Sequence, residues 1–194
     1  MQLITANNIS YTINDQKLFH GLSFSLDHGS ALHIQGGNGS GKSTLIRILL
    51  GISTPTKGEI KYMQPNLVLS YLGHQNAIKS YLTPLENLEL IFPKAQFDNA
   101  YSWFKKLNLI GVQDETTANL SFGQQKKLAL IRILANDSDV IILDEPFVGL
   151  DQATRDLLAE YLKLRVSKGA SLALTSHIEP GFNCHALVLN GGAA

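Results

Sequence analysis

The chain of 194 residues is the size of one domain, or of one domain with a small subdomain. Hydrophobic residues at 44% exclude wholesale disorder, and 16 Lys plus Arg balanced by 16 Asp plus Glu argue against a dedicated nucleic-acid binder. Cys184 is the single cysteine, so no intrachain disulfide forms, and a reducing compartment suits the chain. The start, Met1 to Asn8, lacks the pattern of a signal peptide, and no apolar run approaches the roughly 18 residues of a membrane span. Any membrane role is expected to run through a partner.

The first segment reads as strands. Leu22 to Leu26 alternates apolar and polar residues, Asp27-His28-Gly29 is a turn, and Ala31 to Ile34 is a short apolar strand. That strand runs into a glycine cluster, after which Thr44 to Leu50 reads as a largely buried helix stopped by Gly51. Gly58 to Tyr62 and Leu67 to Leu72 are further strands. Thr83, Pro84 and Glu86 form a helix start, with an N-cap, a proline at the first helical position and an acid at the third. Helical patterns follow over Leu85 to Phe92, Phe97 to Leu107 and Gly123 to Ala135. Val140 to Leu143 is a continuous apolar run, as in a strand covered on both faces. A helix from Gln152 to Val166 and strands at Ala170 to Thr175 and Ala186 to Leu189 complete the alternation, which predicts an α/β fold with a mainly parallel sheet. The expected division is a core over 1–76 and 136–194, carrying an N-terminal β subdomain, and a helical insert over 77–135.

Gly36-Gly37-Asn38-Gly39-Ser40-Gly41-Lys42-Ser43 fits the pattern G-x-x-x-x-G-K-[ST]. Its glycines let successive backbone N–H groups point at an anion, and the following helix presents its positive end to the same spot. Lys42 adds a charge for β- and γ-phosphates, and Ser43 offers a hydroxyl to Mg²⁺. The strand from Val140 ends in two carboxylates. Asp144 is suited to orienting Mg²⁺, and Glu145, one residue on, to taking a proton from an attacking water.

Leu120-Ser121-Phe122-Gly123-Gln124 resembles the signature motif of ABC-type ATPases, L-S-G-G-Q, with Phe at the third position. The order of phosphate loop, Gln75, signature, Asp144-Glu145, Asp151 and His177 is similar to that family over nearly the whole chain. The resemblance implies a P-loop NTPase of ABC ATPase type that binds ATP and Mg²⁺, with Thr44 completing the phosphate-loop contacts. It further implies that Gln75 reaches Mg²⁺ and the attacking water. Ser121, Gly123 and Gln124 would contact the γ-phosphate of ATP on the opposite protomer of a homodimer. Ser121 also reads as a helix cap. Asp151 matches the loop that couples the two sites, reads as the cap of the helix from Gln152, or does both. His177 matches a donor to the γ-phosphate, and Tyr11 either stacks on adenine or is a strand tyrosine. Lys105-Lys106 and Lys126-Lys127 are expected on solvated helix faces, Trp103 and Phe104 in packing, and Cys184 as a small buried hydrophobe.

Leu18 to Phe24, Gly73-His74-Gln75 with Ile78-Lys79, Leu82 to Leu88, Gly123-Gln124-Gln125 and Asp144 to Phe147 look like the ATP-binding subunits of cytochrome c maturation haem exporters. That likeness implies integral membrane subunits as partners, a peripheral position on the cytoplasmic side of a bacterial inner membrane, and the release of haem-loaded chaperone. The chain is expected to hold ATP rather than haem, since no C-x-x-C-H motif is present. Its short β-rich part and its end soon after the last strand suggest no regulatory domain. An ATPase for another exporter, a soluble ABC ATPase acting on DNA or ribosomes, and an assembly module that hydrolyses little are the alternatives. Neutral charge counts against the second, and Glu145 against the third.

Overall fold

A computed structural model describes residues 1–190. In chain order the elements are β1 (Gln2–Ile13), β2 (Gln16–Asp27), β3 (Ala31–Gln35), α1 (Lys42–Leu49), β4 (Lys57–Tyr62), β5 (Leu69–Leu72), α2 (Pro84–Ile91), α3 (Lys94–Lys106), α4 (Phe122–Leu134), β6 (Val140–Asp144), α5 (Gln152–Ser167), β7 (Ser171–Thr175) and β8 (His185–Val188). Two 3-10 turns, Ile110–Val112 and Thr117–Asn119, join α3 to α4. The strands form an antiparallel sheet in the order β2-β1-β4 and a sheet in the order β5-β6-β7-β3-β8. Every pairing in the second sheet is parallel.

The parallel sheet is covered on both faces, which is why β6 and β7 read as unbroken buried runs. Alternation still sorts their side chains. Val140, Ile142 and Ala173 join a cluster with β1, β3 and α1, whereas Ile141, Leu143, Leu172 and Leu174 join Leu88, Phe104, Leu128 and Leu158 on the other face. Phe104 is fully buried in that second cluster, so Phe104→Ala is expected to cost about 3–5 kcal/mol. The helices between β5 and β6 share this core with the sheet instead of enclosing one of their own.

Several boundaries differ from the sequence pattern, among them β2, which starts at Gln16 rather than Leu22, and α3, which starts at Lys94 rather than Phe97. The helix after the glycine cluster starts at Lys42, because Gly41 takes the left-handed conformation at φ 95° and lets the chain turn into it. The strand expected from Leu67 starts at Leu69, following Asn66 at φ 64°. Cys184 is half-buried rather than buried, and packs against the larger cluster.

Candidate functional site

The parallel strands deliver their C-terminal ends to one side of the sheet, where connecting loops make a crevice. A cleft of about 620 Å³ lies there, lined by Asn38, Gly39, Gly41, Lys42, Ser43 and Thr44, by Asp144, Glu145 and Val148, and by Leu18, His74 and His177. Lys42 Nζ donates to the carbonyls of Gly36 at 2.7 Å and Gly37 at 3.0 Å, so its ammonium lies over the loop's own turn. Gly36 admits no side chain: a Cβ there would sit 2.5 Å from Ser40 Oγ and 2.8 Å from the Leu189 carbonyl. Ser40 itself is buried, with Oγ unpartnered.

Asp144 is 5% exposed and its two oxygens are both engaged. Ser43 Oγ donates to Oδ2 at 2.9 Å, and Thr175 Oγ1 donates to Oδ1 at 2.6 Å. The same Thr175 hydroxyl accepts from the Glu145 N–H at 3.0 Å. Glu145 has φ 49°, the left-handed region, and the turn of its backbone sets its side chain beside His177. The His177 N–H donates to Glu145 Oε2 at 3.2 Å, and His177 Nε2 lies 3.4 Å from Oε1. Behind them, buried His33 donates from Nε2 to the Ser176 carbonyl at 2.9 Å while Nδ1 accepts from Gln35 at 3.1 Å. His33 thus fixes the turn that carries His177, a role with no motif to betray it.

Other predicted residues lie elsewhere. Gln75 is exposed just beyond the cleft, and its neighbour His74 lines it instead. The next residue, Asn76, is fastened by its carbonyl to Arg132 of α4 at 2.7 Å. Tyr11 is half-buried against Phe19, with ring centroids 6.3 Å apart, and does not line the cleft. Ser121, Gly123 and Gln124 open α4, away from the cleft lining of the same chain. Ser121 Oγ accepts from Gln124 N–H at 3.3 Å and Gln124 Oε1 accepts from Ser121 N–H at 2.8 Å, a capping box. Phe122 is 54% exposed, and its ring lies against Gly149, where any Cβ would collide with it. Asp151 caps α5 through the Thr154 N–H at 2.8 Å and pairs with Lys127 at 2.5 Å. These contacts, the Lys127 bond first, hold its carboxyl well below the usual range.

The two lysines of α4 correct the sequence expectation. Lys126 is 2% exposed; burial lowers its pKa, while Asp144 and Glu145 pull it back up. Lys127 is spoken for by Asp151. The face assigned to water instead meets the carboxylate end of β6 and the loop before α5, because α4 is packed on both sides.

The family model described as ABC transporter matches residues 19–148. This chain belongs to the ABC transporter family. It is an ATP-hydrolysing transporter subunit. It is 37% identical over 188 residues to the cytochrome c biogenesis ATP-binding export protein CcmA of Dechloromonas aromatica, covering 90% of this chain and 92% of that one. The protein of the same name from Yersinia pestis is 35% identical over 198 residues, covering 94% and 89%. Among solved structures, an ATP-binding subunit of an ABC transporter superposes with TM-score 0.83 at 24% identity, covering 96% of this chain and 85% of the other. A bacterial ABC transporter cassette solved as a dimer gives 0.80 at 23%, covering 96% and 94%. The fold is that of ABC ATPases.

Proposed function

We propose that this ATPase powers a cytochrome c maturation haem exporter, closing as a head-to-tail homodimer over two Mg·ATP and driving release of haem-loaded chaperone. The curated relatives named for cytochrome c biogenesis support the pathway, and the dimeric cassette of the same fold supports the assembly. The observation that carries the chemistry is the chain of contacts from Ser43 through Asp144 and the buried Thr175 to Glu145 and His177, which brings four cleft-lining side chains together.

The loop from Gly36 to Gly41, with Lys42, Ser43 and Thr44, binds the phosphates. A hydroxyl and a carboxylate in mutual contact are an oxygen donor set that suits a hard divalent cation. Ser43, Asp144 and Gln75 would hold Mg²⁺, which when bound neutralises charge on the β- and γ-phosphate oxygens. Glu145 takes the proton of the attacking water, His177 donates to the γ-phosphate, and Tyr11 stacks on adenine. Ser121, Gly123 and Gln124 reach the ATP of the opposite protomer, and Asp151 couples the two sites. Residues 77–135 move with closure and pass that motion to integral membrane subunits. The ATPase sits peripherally on the cytoplasmic side of a bacterial inner membrane. Among the described residues no helix is long and apolar enough to cross a membrane. Neither nucleic acid nor haem is a ligand in this reading.

Glu145→Gln keeps size and hydrogen bonding but cannot accept a proton. Hydrolysis is expected to fall about 10²–10⁴-fold, with an ATP-dependent dimer on size-exclusion chromatography. Adding Ser121→Arg should abolish that dimer, and Lys42→Ala should abolish Mg·ATP binding in calorimetry. A Glu145→Gln protein that hydrolyses at the parental rate refutes the assignment.

A further inference from the structure

We propose that His74 contacts the terminal phosphate of the bound nucleoside triphosphate, as a second histidine flanking the carboxylates of β6 on the side opposite His177. This rests on the reading of the cleft as the nucleotide site.

The sheet order places β5 and β7 on either side of β6. Leu72 pairs with Leu143, and Asp144 pairs with Thr175. Each histidine lies two residues past the end of its strand, His74 after Leu72 and His177 after Thr175. The two imidazoles therefore follow the strands on either side of β6, and both line the cleft that holds Lys42, Ser43, Asp144 and Glu145. Gln75 does not line it.

Tyr71 lies over the bend that presents His74: its hydroxyl is 2.5 Å from where a Cβ on Gly73 would sit. An imidazole N–H held there has a clear partner in a phosphate oxygen, and a bond to an ionised oxygen is of the stronger class. Its place among Asp144, Glu145 and His177 puts it where the terminal phosphate reacts, so the contact should separate triphosphate from diphosphate.

The test is calorimetry with Mg²⁺ in a Glu145→Gln background, where ATP persists, comparing ATP and ADP for His74, His74→Ala and His74→Gln. Loss of one charge-assisted bond should weaken ATP binding about tenfold or more in His74→Ala. ADP affinity should stay at the parental value, and His74→Gln, which keeps an N–H donor, should recover most of the loss. Unchanged ATP affinity in His74→Ala overturns the proposal, as does a loss shared equally by ADP, which would mean a structural role. Failure of the background protein to bind either nucleotide would overturn the nucleotide reading of the cleft instead.

Discussion

Glu145 occupies the left-handed region at φ 49°, a conformation that costs a non-glycine residue about 1–3 kcal/mol. The strain is held in place by the Thr175 hydroxyl and carbonyl, both of which accept from the Glu145 N–H. No residue type in the sequence signals it, because the conformation is imposed by the neighbouring strand. The phosphate loop and the Asp144-Glu145 pair were readable because their chemistry is local and regularly spaced. Lys126, His33 and His74 were not, because what each one faces is decided by another strand or helix. Cys184 shows the same dependence. Burial and the nearby Glu179 carboxylate push its thiol up to about 11. The thiolate is the reactive form, so alkylation by iodoacetamide at pH 8 should run about 100-fold slower than for an ordinary cysteine. The rate should climb tenfold per pH unit up to about pH 11, followed by mass spectrometry; an ordinary rate at pH 8 would contradict the raised thiol.

Two helices begin with reciprocal caps, and both starts are legible as short patterns in the sequence. Thr83 caps α2 with Glu86 answering at 2.7 Å, and Ser121 caps α4 with Gln124. Removing either hydroxyl by Thr83→Ala or Ser121→Ala should cost about 1 kcal/mol, or about 2–4 °C in melting temperature for a chain of this size. Only Ser121→Ala should also weaken the ATP-dependent dimer of the Glu145→Gln protein. Equal dimer loss in both variants would reduce Ser121 to a cap. What the sequence did not disclose is how α4 is shared. Its pattern places it in the helical insert over 77–135, and it packs into the core cluster shared with the sheet and ties to Asn76 and Asp151. Such ties join residues far apart in sequence, which periodicity does not register.

At the scale of the whole molecule, the proposed function expects the surface offered to membrane subunits to include the segment around Ile78 to Leu85. Tyr81 is 74% exposed there, and the loop beneath it is stapled by Asn87, a buried side chain that bonds Lys79, Thr83 and Thr117. A rigid loop with an outward aromatic has the chemistry of an interface hot spot. Tyr81→Asp with Leu82→Asp should abolish recovery in the membrane fraction when the membrane subunits are co-expressed, while ATP binding stays parental. Equal recovery of variant and parent would move the contact elsewhere. The order of the strands has a further consequence, for the making of the protein. Among the described residues β3, which leads into the phosphate loop, pairs only with β7 and β8. Synthesis must therefore add positions 36 to 170 before β3 meets its first neighbour, which at about 5–20 residues per second takes roughly 7–27 s. The antiparallel sheet is complete by Tyr62 and needs no such wait. For most of its birth the chain has the phosphate loop without the rest of the site, since Asp144, Glu145 and His177 come late in the sequence, so cellular ATP can stabilise the fold only once nearly all of it has been translated.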